Sequence, residues 1–286
     1  MSGLLNTFSG RCNLRFILAC GLVAVFVATA FAQRRYREPR AAQIDRGDVP
    51  TWEVDKNFAK DVFTFVRIKY SSSGYGSWGG AGVWYVDYPD AELNLSYRLQ
   101  QLTSLKVNPE GKVLELTDKE LFNYPFIYIV EPGELQFHDE EVKNLRRYLL
   151  SGGFLMVDDF WGEAQWRNLY QEMKRVFPER EPEELQLSHE IFNCVFPIKE
   201  KPQIPNVGLG TASQFHGRTW ETPDSQDPHY RAIFDDKRRM MVMICHNTDL
   251  GDGWEREGEN EYYFREFSEK KAYPLGINII FYAMTH

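Results

Sequence analysis

The sequence predicts an α/β fold with a mostly parallel central sheet, and three observations carry that expectation. Short apolar runs alternate with helical patterns from Phe63 onward, the arrangement of strands joined by crossover helices. One run, Phe154-Leu155-Met156-Val157, ends on Asp158 and Asp159 before another helical pattern. The last helical segment, from Pro274 to Ala283, is apolar nearly all round, as a helix buried against a sheet must be.

The expected strands are residues 63–68, 113–116, 126–130, 154–157, 232–234 and 240–245. Between them, Ala91, Leu95, Leu99 and Leu102 recur at helical spacing behind Pro89 and Asp90. Val142, Leu145 and Leu149 do the same behind the acidic opening Asp139, Glu140 and Glu141, with Gly152 just past the end. Trp166, Leu169, Tyr170, Met173, Val176 and Phe177 form a wide apolar stripe that Pro178 and Pro182 stop. Residues 179–230 contain Pro182, Pro197, Pro202, Pro205, Pro223 and Pro228 and read as a long irregular excursion. Such excursions from an α/β core cover or build a site, or are plain surface.

With 286 residues, 43% hydrophobic and 15% aromatic, the chain can bury a sizeable core. Residues 1–32 read as an export signal: Arg11 and Arg15 precede an uncharged run from Phe16 to Ala32, and Ala30-Phe31-Ala32 offers a small-x-small cleavage pattern. The expected location is periplasmic or secreted. The alternative is an uncleaved inner-membrane anchor, because Arg34, Arg35, Arg37 and Arg40 follow the apolar run and oppose their own translocation. Residues 33–60 read as a polar tether and 61–286 as one α/β domain. Loss of residues 1–32 removes two of the 33 basic residues and none of the 41 acidic ones, taking the net charge from −8 to −10. That balance argues against nucleic acid and anionic lipid as partners. Membrane contact then depends on the amino-terminal segment alone. Cys194 and Cys245 remain, either as a bridge or as two inert thiols.

Ligands of open α/β sheets sit outside the carboxyl ends of strands. Asp158 and Asp159 occupy such an end and could bind a divalent cation, act as acid and base, or cap the following helix. A second cluster follows residues 240–245: His246, Asn247, Thr248, Asp249, Asp252 and Glu255, interrupted by Gly251 and Gly253. Turn chemistry alone could explain Asn247, Asp249 and Asp252. Asp158, Asp159 and His246 are the candidate catalytic residues, and His189, His216, Asp249, Asp252 and Trp161 the candidate ligand contacts. Under a metal-dependent alternative, Asp158, Asp159, His246 and Asp249 would hold the ion. His189 and His216 also suit purely structural roles. The glycine-rich segment from Gly74 to Tyr85 lacks a Lys followed by Ser or Thr, which argues against a phosphate loop.

Several segments together resemble a bacterial family, the domain of unknown function DUF4159. They are Asp87-Tyr88-Pro89-Asp90-Ala91-Glu92, the run from Gly152-Gly153-Phe154 through Asp158-Asp159-Phe160-Trp161-Gly162, and His189-Glu190-Ile191-Phe192. His246-Asn247-Thr248-Asp249, Gly251-Asp252-Gly253-Trp254 and Ala272-Tyr273-Pro274-Leu275-Gly276-Ile277-Asn278 complete the pattern. The resemblance implies a three-layer sandwich like class I glutamine amidotransferases and flavodoxin-related proteins, and no established activity. Amidotransferases carry a cysteine nucleophile on a sharp strand-to-helix elbow. Here Asp158 and Asp159 stand at the elbow-like position, so the thiol chemistry is expected to be lost. Three functions are then compatible with the sequence: an exported module binding an unknown envelope ligand or protein, a metal-dependent hydrolase, and an anchored structural envelope protein.

Overall fold

The computed structural model describes residues 44–54, 61–72 and 83–286, and residues 46–286 form one compact unit. The expected export signal, most of the tether and the glycines of the 74–85 segment lie outside the described residues. Residues 46–54 pack on the body: Trp52 Nε1 donates to the Val107 carbonyl at 2.7 Å, and Arg46 Nη1 donates to the Pro109 carbonyl at 2.5 Å. No helix among the described residues is long and apolar enough to cross a membrane.

In chain order the elements begin β1 (Val66–Ile68), β2 (Ser71–Ser72), α1 (Asp90–Leu102), β3 (Lys112–Leu114), β4 (Phe126–Val130) and β5 (Leu135–Gln136). They continue α2 (Asp139–Leu150), β6 (Phe154–Asp158), α3 (Gly162–Val176), β7 (Glu183–Glu184), α4 (Val207–His216), β8 (His229–Phe234) and β9 (Met240–His246). The chain closes with α5 (Leu250–Glu255), α6 (Glu261–Tyr263), a π-helical stretch (Phe264–Ala272) and α7 (Tyr273–Thr285). The seven-stranded sheet runs β3-β1-β4-β6-β9-β8-β7. The pairings from β3 to β9 are parallel, and β8 is antiparallel to both β9 and β7. The architecture is thus mixed α/β around a mostly parallel sheet. The excursion after α3 is less irregular than its prolines suggest, since it supplies β7 at the sheet edge and α4.

Period-two alternation sorts the strand side chains into two cores. Phe126, Tyr128 and Val130 of β4 pack with Phe154 and Met156 of β6, Met243 and Cys245 of β9, and the apolar sides of α1, α5 and α7. Ile127, Ile129, Leu155, Val157, Val242 and Ile244 pack instead with Leu145 and Leu149 of α2 and Leu169 and Met173 of α3. Each fully buried Leu, Ile or Phe contributes roughly 1.5–3 kcal/mol, so these two clusters account for most of the driving force. Asn278 interrupts the apolar α7 because its amide is a clamp. Its Oδ1 accepts from Val195 and Phe196 at 3.1 and 2.8 Å, and its Nδ2 donates to the Phe196 carbonyl at 2.8 Å.

Among the described residues one ion pair is fully inside. Arg67 of β1 pairs with Glu92 of α1, with side-chain exposures of 0% and 1%. The Arg67 guanidinium also donates to the carbonyls of Trp84 and Val86 at 2.9 and 2.6 Å, and so fixes the loop before α1. Breaking a buried pair strands a charge, which costs about 3–5 kcal/mol. Arg67→Met should therefore lower the urea unfolding free energy by about that amount. Arg67→Met with Glu92→Leu should recover part of the loss; equal losses in the single and double variants would refute the pairing account.

Candidate functional site

Chemistry concentrates where β4, β6 and β9 end. The β6 run delivers Asp158 to the face that carries Phe154 and Met156, with the side chain completely buried. Its Oδ2 accepts from Tyr128 Oη at 3.1 Å and from the Gly251 N–H at 3.0 Å. Its Oδ1 has no hydrogen-bond partner among the described residues. Asp159 follows with φ 55°, and its Oδ1 accepts from Trp161 Nε1 at 3.1 Å. After β9 the chain turns through Asn247 at φ 61°, and Asp249 caps α5 by accepting from the Asp252 N–H at 2.7 Å. Asp252 Oδ2 accepts in turn from the Val207 N–H at the start of α4, at 2.8 Å.

Asp87 arrives from the loop that Arg67 holds, with φ 63° and a buried Oδ2 that has no hydrogen-bond partner among the described residues. Gly251 makes this approach possible: a Cβ there would stand 2.3 Å from Asp87 Oδ2 and 3.0 Å from Tyr128 Oη. Asp87, Asp249 and Asp252 each bring one carboxylate oxygen to within 4.8 Å of the others, so these three could hold a metal ion. Glu131, at φ 53° just after β4, adds a further acid beside Asp159. Four non-glycine residues at the edge, Asp87, Glu131, Asp159 and Asn247, thus adopt left-handed backbone conformations, each at a cost of about 1 kcal/mol or more.

Crowding and burial keep these acids protonated far above the usual carboxylate range. Burial, then Asp252 and Glu255, push Asp87 up to about 8. Burial pushes Asp158 up to about 7 against the donors Gly251 and Tyr128. Asp159 is raised strongly by burial, Glu131 and Asp87, and Asp249 by burial, Asp159 and Asp252. Burial likewise takes Glu131 and Glu255 to about 7 and raises Asp252. Among the described residues no lysine, arginine or histidine forms an ion pair with Asp87, Asp158, Asp159 or Asp249.

The family model for the domain of unknown function DUF4159 matches residues 64–284. The chain belongs to that family. No curated protein matches it.

The DUF4159 domain brings together Asp158, Asp159, Asp249 and Asp252 of the residues expected from sequence, with Trp161 bonded to Asp159. The expectation that His246 shares their pocket is not met. His246 continues the face of Val242 and Ile244, opposite to Asp158, and is completely buried there. Its ring stacks on Phe160, Trp166 and His229 at centroid distances of 4.7, 5.6 and 5.8 Å. Nε2 donates to the Gly162 carbonyl at 3.1 Å and Nδ1 accepts from Arg231 Nη1 at 3.1 Å, a pattern that fits the neutral ring. Burial takes its pKa down to about 4. Nor does His246 stand within reach of the ion-holding acids.

Cys245 points to the Asp158 side, but it is fully buried, and burial followed by Asp158 pushes its thiol up. Cys245 and Cys194 are both free. His189 lies at the opposite end of the strands. It packs near Phe234, which is registered with the first residue of β9, and its Nδ1 accepts from the Ile191 N–H at 3.2 Å. His216 ends α4 on the surface, where its Nδ1 accepts from the Arg218 N–H at 3.0 Å. Neither histidine joins the acids. Asp87, Glu131 and Tyr128 are the members that sequence reading missed. Glu131 follows the apolar run of β4 just as Asp158 closes that of β6, and Asp87 opens one of the segments that carry the family resemblance.

The pH dependence of stability follows from these shifts. Each raised carboxyl has a folded-state pKa above its ordinary value near 4, so its contribution is full below about pH 4 and is lost as pH rises through 7 to 8. His246 acts in the opposite sense: its contribution is present above its ordinary 6.5 and is lost as pH falls toward 4. Between about pH 4 and 6.5 the several raised carboxyls outweigh the single depressed imidazole, so metal-free protein should melt highest at about pH 4 to 5 and at steadily lower temperature as pH rises toward 8. Asp158→Asn should flatten this fall and His246→Gln should steepen it between about pH 4 and 6.5, as followed by circular dichroism. A wild-type Tm that climbs steadily from about pH 6 to 9 would contradict this.

Proposed function

We propose that this protein is an exported binding domain whose acidic strand-end site captures a positively charged ligand, in place of the thiol chemistry of amidotransferases. The observation that carries the reading is the group of buried carboxylates around Asp87, Asp158, Asp159 and Asp249, which no basic side chain among the described residues pairs with. Burying unpaired negative charge costs several kcal/mol per group, so proteins compensate it by protonation or by a bound cation. Near neutral pH a cationic ligand removes the need for protonation, which gives it a strong energetic advantage at this edge.

The finer fold reading belongs with this proposal: a three-layer, class I amidotransferase-like sandwich. Five parallel strands with helices against both faces support it, as does the sharp left-handed turn at Asp159 directly after β6. In the amidotransferase pattern that elbow carries cysteine, whereas here it carries Asp158 and Asp159. Export, to the periplasm or beyond, is supported by the charge and hydropathy pattern of residues 1–32. A cation-assisted hydrolase is the second reading, favoured by one observation: Asp158, at about 7, can exchange a proton at neutral pH.

A thermal-shift panel of divalent cations, spermidine and lysine-rich peptides at pH 7.5 tests binding. At least one should raise the Tm of the wild type by several degrees and leave Asp249→Asn unmoved, while Cys245→Ser should behave as wild type. A panel in which nothing stabilises the wild type ends the proposal. Cation-stimulated hydrolysis of p-nitrophenyl phosphate that disappears in Asp158→Asn would put hydrolysis above simple binding.

A further inference from the structure

We infer that the ligand of this site is a hard divalent cation held by Asp87, Asp249 and Asp252, an inference that rests on the cationic-ligand reading. The three carboxylate oxygens lie within 4.8 Å of one another. Two ligands on opposite sides of Ca²⁺ are separated by about twice its Ca–O distance of roughly 2.4 Å. Three oxygens at this spacing surround a point no more than about 2.8 Å from each, so side-chain rotations that shift them by a few tenths of an ångström bring all of them onto a single ion. The donors are oxygen only, the preference of Ca²⁺ and Mg²⁺ over softer metals.

Two further atoms point to a ligand independently of the cluster's composition. Asp87 Oδ2 and Asp158 Oδ1 sit in side chains that are 6% and 0% exposed, and neither has a hydrogen-bond partner among the described residues. Buried carboxylate oxygens ordinarily accept a bond. Asp87 Oδ2 lies against Gly251, whose lack of a Cβ admits it, and the Gly251 N–H holds the other oxygen of Asp158 in place. Asp249 and Asp252 each engage one oxygen with a backbone N–H, which leaves the second oxygen of Asp249 for the ion, while that of Asp252 stands 3.6 Å from Arg256 Nε.

The nearby arginines do not do the same work. Arg67 is committed to Glu92 and to two loop carbonyls. Arg256 Nε stands 3.6 Å from Asp252 Oδ1 but is shared with Glu255 at 2.6 Å, and its Nη1 reaches Glu259 at 3.0 Å. It approaches one of the three acids from the side and leaves Asp87 and Asp249 uncompensated.

The test is calorimetric titration of the full chain, stripped with EDTA, with CaCl₂, MgCl₂ and MnCl₂. Saturable binding of one ion per chain is expected. Asp87→Asn and Asp249→Asn should each weaken it at least tenfold, and His246→Gln should leave it unchanged. If the Asn variants fail to fold, wild-type terbium luminescence sensitised by Trp254 should rise to a one-to-one end point and be reversed by Ca²⁺. Absence of saturable binding by any of these ions overturns the inference. Should spermidine stabilise the wild type but not Asp249→Asn while the metals do nothing, the divalent ion falls and the cationic-ligand reading stands; if neither binds, both fall.

Discussion

Arg67 is the only lysine or arginine among the described residues that is fully buried, and it shares the interior with buried Asp87, Glu92, Asp158, Asp159, Asp249 and Asp252. Its guanidinium lies over the rings of Tyr128 and Tyr88 at 5.1 and 5.9 Å, so its planar face is covered while its edges form directional bonds. Those bonds go to Glu92 and to the carbonyls of Trp84 and Val86, one residue from Asp87. The same group therefore ties β1 to α1 and shapes the loop that presents Asp87. Glu92 takes most of its charge, and the remaining acids keep an excess of negative potential. Stability of the scaffold and the electrostatic appetite of the site come from one arrangement: a single interior cation, placed where it organises more carboxylates than it can neutralise.

Strand parity divides the chemistry between the two faces of the sheet. Leu155 registers with Val242 and Val157 with Ile244, so the next step of β6 and β9 sets Asp158 level with Cys245. On the face of Asp158 the neighbours are Tyr128, Gly251 and Asp87. On the other face His246 lies among Phe160, Trp166 and His229, with Arg231 held 4.1 Å over the Trp166 ring. An imidazole whose two nitrogens are both engaged and whose ring is stacked is held neutral and still. It braces α3 against β9 through the Gly162 carbonyl rather than carrying protons for the acids.

The fold was legible because its signals are local. The buried runs of β4, β6 and β9 and the stripes of α1, α2, α3 and α7 stand at their expected places, since apolar period and flanking breakers fix an element without knowledge of its partners. The strand-end rule also located Asp158, Asp159, Asp249 and Asp252. It misplaced His246 relative to them because face depends on the register between β6 and β9, a non-local quantity that spacing along one strand does not contain. Asp87 was harder still. It enters the site from a loop about 70 residues before Asp158 in sequence, through a left-handed turn and the bonds that Arg67 makes to the Trp84 and Val86 carbonyls, and no periodic pattern marks such a position.

The excursion between α3 and β8 gives the edge its enclosure. Gln203 Nε2 donates to the carbonyls of Ser225 and Asn247, both at 3.0 Å, Ile204 N–H donates to Thr248 Oγ1 at 3.0 Å, and Tyr263 Oη donates to the Pro205 carbonyl at 2.8 Å. These bonds lay residues 203–207 along the turn after β9 and bring the Val207 N–H onto Asp252. An acid group left open to water would be solvated and ordinary; closed in by this segment, its charges interact through a medium of lower effective dielectric. The prolines that make the segment look like featureless surface, Pro202 and Pro205, supply the carbonyls that Tyr230 and Tyr263 bind. Enclosure is thus built from backbone groups, which add donors at the rim without adding side-chain cations, and the negative potential of the site is preserved.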